Sequence, residues 1–389
     1  MNSMVKIKKH FKGKTMEKYL TLFEDEKQYE NSKRGNETMN YSYCKKEVEM
    51  HYDIPPIVVA KFDVVSTSEP TRICSNISAF TWVEIDGVKQ DNVVSAYTFD
   101  TVGVHTVKYF LKDPSTMGGL KECNCLVDVK IPKTVTTIGN LCFMGCTNLA
   151  NIKIPNNVTS IGVQVFKGCS KLTSIIIPDS VITFGFGIFS NCYSLSSVTM
   201  PKSLTSIPQS IFFNCYSLSS VTIPSGVTSI GESAFAHCSG LTSINIPSGV
   251  TNIEYASFNG CNGLLNIIIP NTVTSIGDFA FEKCTNLSSI IIPSGVTTIG
   301  EQVFNECYSL SSVTIPSGMT SIGSMAFRKC GLSHIISLAK SSPTITYTTF
   351  NEIKPNGTLS VPSESSGYDT WMQNENYYLG LYNWTKVEQ

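Results

Sequence analysis

The chain is 389 residues long and almost neutral, with 29 Lys and Arg against 30 Asp and Glu. That balance supplies no basic patch, so nucleic acid and anionic membrane surfaces are not expected partners. Only 15% of residues are charged, Ser, Thr and Asn carry the rest of the polarity, and no apolar run approaches the ~18 residues of a membrane helix.

Residues 1–54 open with "MNSMVKIKKHFKGKTMEKYL", which is basic but lacks the apolar core and small-residue cleavage site of a secretory signal. Met1, Met4 and Met16 are alternative starts. "MEKYLTLFEDEKQYENSKRG" (16–35) reads as a short strand and then a helix, and "NYSYCKKEVEMHYD" (40–53) alternates as strands do. The M-x-K-Y-L-T-L-F opening and the N-x-S-Y-C element with its later His-Tyr resemble the N-terminal segment of virion proteins from phages of gut bacteria. That resemblance covers about 40 residues. It implies that 1–54 is an anchor that docks to a particle.

Residues 55–115 change character. "VVAKFDVV", "FTWVEIDGV", "SAYTF" and "VHTVKYFL" are strand-like, and Asp86-Gly87 is a hairpin turn pair. A small β-sandwich is expected. "TFDTVGVHTVKYFLKD" (98–113) resembles the closing hairpin of immunoglobulin-like and PKD-like modules. Its expected role is to cover the open edge of the repeats that begin at residue 116.

From 116 to 336 the sequence repeats. Prolines recur from Pro132 to Pro316, and phenylalanines from Phe143 to Phe327, in steps of 23. Ten of the 14 cysteines keep the same step: Cys123, Cys146, Cys169, Cys192, Cys215, Cys238, Cys261, Cys284, Cys307 and Cys330. The consensus is C-x-x-L-x-x-I-x-I-P-x-x-V-T-x-I-G-x-x-x-F-x-x. In "LSSVTIP" the Val221/Ile223 alternation is a strand's period of two, and Pro224, with no N–H to donate, ends it. "SGVTSIG" reads as a turn at Gly231, and "ESAF" as a short helical or 3₁₀ turn with Phe235 inward. One such unit cannot bury its own apolar face, but a stack can. The expectation is a repeat solenoid of about ten coils with a parallel sheet on one face, roughly 48 Å long at ~4.8 Å per strand.

These motifs resemble the BspA-like leucine-rich repeats, a 23-residue class common in surface proteins of gut and oral bacteria. The match is the L-x-x-I-x-I-P strand, the V-T-x-I-G turn and the A-F-x-x-C return, complete at Ala234, Phe235 and Cys238. It spans about residues 120–335. The asparagine slot of ordinary leucine-rich repeats holds Thr, Ser or Gly in most coils here, with Asn157 the exception, so no asparagine ladder is expected. The resemblance implies a non-enzymatic adhesion protein at a bacterial surface, binding protein or glycan on host or mucus. The alternative is a phage virion appendage whose partners are particle proteins.

The repeated cysteines read as reduced packing thiols, since free Cys is a small hydrophobe with a weak donor. Stacked parallel Cβ vectors suit a disulfide poorly, and no paired C-x-x-C offers zinc a site. Cys125 and Cys142 lie off the ladder and read as packing too. Residues 337–389 leave the period after a coil one residue short, and "GTLSVPSESSGYDTWMQNENYYLGLYNWTKVEQ" resembles the terminal cap of BspA-like proteins, with Trp371 and Trp384 packed inside.

Catalytic chemistry finds little support. His10, His51, His105, His237 and His334 fall in different elements, and the repeats hold few carboxylates. No phosphate-binding loop, H-E-x-x-H or dinucleotide fingerprint is present. No enzyme activity, cofactor or metal is expected. The repeats offer a surface instead. The residue two before each proline should face outward: Lys130, Lys153, Ile176, Thr199, Thr222, Asn245, Ile268, Ile291 and Thr314. Tyr193, Tyr216 and Tyr308, each following a ladder cysteine, are further candidate contacts.

Overall fold

The computed structural model describes residues 56–389, which fall within one compact unit, Pro55–Gln389. The expected anchor at 1–54, and with it the virion-like segment, lies outside the described residues.

The strands after Pro56 form one five-stranded sheet. Its order is Val88–Lys89, Phe80–Ile85, Gly103–Leu111, Ile57–Val64 and Leu126–Lys130, each pair antiparallel. The sequence alternation produces this directly, since Val58, Ala60, Phe62 and Val64 are buried and their neighbours are not. A two-residue ribbon pairs Thr71–Arg72 with Ala96–Tyr97. The described residues form a sheet and a ribbon here, and the expected Ig/PKD-like sandwich is not shown.

The last of these strands is also the first of the solenoid. Leu126–Lys130 pairs antiparallel with Ile57–Val64 on one side, and Lys130 bridges in parallel to Lys153 on the other. The first coil therefore has no open edge on that face.

The solenoid makes about 12 turns, two more than the period in the sequence suggested. Beyond residue 336 the parallel ladder continues through Thr358–Val361 and Thr385–Glu388. The short coil keeps register, because His334 pairs with Ser312 and the missing residue is taken out of the turn before the strand. Phe350 lies one further step of 23 after Phe327 and stacks on it at 5.9 Å.

Two corrections concern the shape of one coil. The parallel pairing is not confined to one face. A second ladder runs through the V-T-x-I segment, pairing Thr137–Ile138 with Ser160–Ile161 and, further along, Ser229–Ile230 with Asn252–Ile253. Val227 and Ile230 are both fully buried, so the chain is pinned inward two residues before the extended piece Ser229–Ile230 and again at its end.

The return segment is not helical either. Ser233 and His237 adopt left-handed φ values of 52° and 61°, which a right-handed helix cannot contain. The N–H groups of Ser233, Phe235 and His237 donate to the carbonyls of Tyr255, Ser257 and Asn259 in the next coil, at 2.9, 2.8 and 2.6 Å. Those of Ala234, Ala236 and Cys238 close short turns onto Gly231, Ser233 and Phe235. A helical turn spends its N–H groups internally, whereas this one sends every second N–H along the stacking axis. All three inter-coil donors point toward the C-terminal end, and the arrangement recurs at Leu141, Phe143 and Gly145.

The interior is a set of columns. Ten phenylalanines from Phe143 to Phe350 stack with ring centroids 5.3–5.9 Å apart. At the C-terminal end Trp371 closes the stack, 5.4 Å from Phe350, with its indole N–H on the Pro343 carbonyl at 3.1 Å.

The cysteine column has a specific task. The carbonyl of Phe189 accepts the backbone N–H of Cys192 and, from the next coil, the thiol of Cys215 at 3.1 Å. From Cys169 to Cys330 each ladder thiol donates in the same way to the carbonyl of the phenylalanine 26 residues before it. Alanine would leave that buried lone pair unmet, and serine's hydroxyl costs more to desolvate than a thiol. Cys215→Ala should therefore lose on the order of 1 kcal/mol, from the weak hydrogen bond and a small cavity. Urea unfolding of the variant beside wild type measures it.

Candidate interaction surface

The outward row of the first ladder is held by register. Lys130 sits beside Lys153, Ile176 beside Thr199, Asn245 beside Ile268, and Ile291 beside Thr314. Thr222 extends the same row, one coil beyond Thr199. Strand geometry turns these side chains away from a core whose neighbours, such as Ile175, Ile177, Ile290 and Ile292, are buried. Along this row Ile176, Ile268 and Ile291 are 69%, 80% and 76% exposed. Single exposed apolar residues are ordinary; here Ile268 and Ile291 occupy adjacent coils of one column and Ile176 lies four coils earlier, at a position other coils give to Thr, Asn or Lys.

The tyrosines divide. Tyr193 and Tyr216 stack on each other, 5.3 Å apart and within 6° of parallel, with both rings partly exposed. Tyr308 is also exposed but lies four coils further along, out of contact with the pair.

The ladder cysteines are all buried and free. Burial pushes the Cys146 and Cys261 thiols up to about 12 and the others upward as well, so none is a nucleophile at neutral pH. Cys142 is buried and Cys125 half-buried, and burial raises both. Trp371 and Trp384 are buried, and Trp384 donates to the Lys354 carbonyl at 2.8 Å.

Two features escaped the consensus because they sit at its variable positions. Glu282 is buried and held by amides of the coils before and after it, Asn259 at 2.6 Å and Asn305 at 3.3 Å, with Lys283 at 3.1 Å. An ion-pair row continues beyond it, where Arg328 reaches Glu306 at 3.7 Å and Glu352 at 2.6 Å. Separately, the coil "VITFGFG" replaces the usual Thr by Ile182, 72% exposed, and carries Phe186, 47% exposed. Comparing each coil with the consensus column by column would have found both.

The described histidines, His105, His237 and His334, stay apart. His105 pairs with Asp86, and His334 lies 3.4 Å from the Ser360 hydroxyl. His237 is held below its ordinary value by burial and by the Lys283 charge. Among the described residues no three His, Cys, Asp or Glu side chains gather as metal ligands, and no helix is long and apolar enough to cross a membrane.

Comparison with known proteins identifies the repeat. The model of the BspA type leucine rich repeat region matches residues 119–242 and 228–355. A leucine rich cell surface protein from Faecalibacterium prausnitzii is 29% identical, over 68% of this chain and 86% of that one, with a TM-score of 0.41. A leucine-rich repeat protein from Bacteroides ovatus is 23% identical, over 75% and 90%, with a TM-score of 0.35. The pneumococcal vaccine antigen PcpA is 21% identical, over 67% and 78%, with a TM-score of 0.44. No curated protein matches the sequence.

Proposed function

Because the chain belongs to the BspA type leucine-rich repeat family, we propose that it is a non-enzymatic adhesion protein displayed at a bacterial cell surface. Its outward strand row binds protein or glycan on a host or mucus surface. The observation that carries this reading is the exposure of Ile176, Ile268 and Ile291 on one column of a parallel ladder. Lys130 and Lys153 add charge at the N-terminal end of the same row. The sheet over 56–130 serves as the N-terminal cap, and the segment after residue 336 as the C-terminal one.

The test uses immobilised mucin as the glycan-bearing probe. The full chain should be retained, and the double variant Ile268→Ser, Ile291→Ser should lose on the order of tenfold or more in retention. Both side chains face solvent, so the variant should unfold with wild type within about 0.5 kcal/mol. Equal retention of variant and wild type, or none of wild type, overturns this reading of the row. Tryptic shaving of intact cells tests the location. Peptides of this chain in purified phage particles instead would move the assignment to the virion alternative.

A further inference from the structure

The N-terminal sheet contains a polar corner that the adhesion reading does not use. His105 lies in the strand Gly103–Leu111 and is only 9% exposed. Its Nδ1 is 2.7 Å from Asp86 Oδ2, and its Nε2 is 2.9 Å from the Thr101 carbonyl oxygen. Both contacts are pure acceptors, so both ring nitrogens must carry protons to satisfy them. The Thr101 hydroxyl waits on the same nitrogen, with Oγ1 3.5 Å from Nε2. Asp86 is fixed as well: its Oδ1 accepts the Thr106 N–H at 2.9 Å, and its own N–H reaches the Thr106 carbonyl at 2.9 Å.

We propose that His105 is a two-position proton latch joining the Asp86-Gly87 hairpin to the 99–102 loop, with Thr101 offering a partner to each protonation state. In the imidazolium state Nε2–H donates to the Thr101 carbonyl and Nδ1–H to Asp86. When the ring loses one proton to solvent, Nδ1 keeps its hydrogen against the carboxylate. The Nε2 lone pair then faces the carbonyl oxygen, two acceptors at 2.9 Å, which repel. Rotation of the loop brings the Thr101 hydroxyl onto Nε2 as a donor, so the corner shifts rather than releases.

The groups facing the ring leave Asp86 as its charged partner. Phe99 packs against it at 4.3 Å, and Phe62 lies across from it on the strand Ile57–Val64. Lys61 and Asp63 flank Phe62 and alternate to the other face of that strand. Burial by itself would lower the His105 pKa. The Asp86 hydrogen bond, the Thr101 carbonyl and the Asp86 charge outweigh it and hold the value above the ordinary 6.5. By linkage, the charged latch contributes in full below the unfolded value of 6.5 and is lost as pH rises through the raised folded value.

The test is a titration of the His105 Cε1–H resonance in the full chain, with Thr101→Val and Asp86→Asn alongside, and amide exchange over 99–104 corrected for its intrinsic pH dependence. Thr101→Val removes only the donor of the neutral state, so the His105 midpoint should move up. Asp86→Asn removes the charge, so it should move down. Wild-type exchange should change across the His105 midpoint, and in Thr101→Val protection above it should fall further, on the order of tenfold. A midpoint that stays or falls in Thr101→Val, or stays in Asp86→Asn, overturns the latch. So does exchange in 99–104 that ignores the titration. Thr101→Val is nearly isosteric at a surface loop, so the proposal stays testable even if Asp86→Asn fails to fold.

Discussion

Phe235→Ala should cost about 3–5 kcal/mol, far more than any change on the outward strand row. The ring is fully buried in mid-stack, 5.5 Å from Phe212 on one side and 5.3 Å from Phe258 on the other. Removing it leaves a cavity that neither neighbour can fill, because each is fixed by its own coil. The backbone cannot collapse to close the hole, since the Phe235 N–H is tied to Ser257 and its carbonyl holds the N–H of Cys238 and the thiol of Cys261. A stack whose units contact only their neighbours unfolds cooperatively while every interface is strong, and a weak interface in the middle divides it. Urea denaturation should therefore show a lower midpoint and a transition that splits in two. A single transition shifted by less than about 1 kcal/mol would mean that the rings contribute little beyond filling space.

Trp371→Ala should be of similar size, about 3–5 kcal/mol, but with a different readout. Trp371 covers the end of the phenylalanine stack and packs edge-on to Tyr368, whose hydroxyl donates to the Ala339 carbonyl at 2.8 Å. Without the indole, Phe350 meets water and the Pro343 carbonyl loses its donor. The loss falls at one end, so hydrogen exchange should show protection failing from residue 389 inward, with the coils around Phe235 unaffected. An exposed coil end is also a template for pairing with another chain, so light scattering should rise on storage. Uniform loss of protection along the stack would show that the cap acts on all coils at once.

How far the sequence reaches is best judged residue by residue. The 23-residue step placed every coil from Cys123 to Cys330, because close packing leaves one side-chain size at each inward position and the pattern is therefore strict. Phe350 falls on the next step of 23, but the pattern as read from the sequence stops at Phe327 because the surrounding consensus has already dissolved there. Hydrophobic spacing could not settle the return segment, because "ESAF" presents Phe235 inward whether the backbone is helical or alternates hands. The difference lies in where the N–H groups go, and that is decided by a neighbouring coil. The second ladder was hidden for a similar reason, being only two residues long, too short for any period to register. The candidate surface was legible as a row, since strand alternation fixes which side chains face out. The buried Glu282 and the His105 corner were not, because each is built from partners on separate elements that no spacing rule connects.

The return segments have one more consequence. Their inter-coil N–H groups all point the same way, so the stack has a plus end and a minus end, as a growing polymer does. At the start, the Gly119 carbonyl has no earlier coil to serve it and accepts the Ser75 N–H at 2.7 Å. At the finish, the Glu352 N–H meets the irregular last turn rather than a backbone carbonyl and donates to the Tyr382 hydroxyl at 2.8 Å. The two caps are thus not interchangeable: one supplies a donor, the other an acceptor. Coils could be duplicated or deleted between them without disturbing this polarity, so the stack can lengthen or shorten while its two ends stay chemically the same. Two such rods set tip to tip with like ends would oppose donor to donor or acceptor to acceptor, and only tip-to-tail contact would continue the ladder.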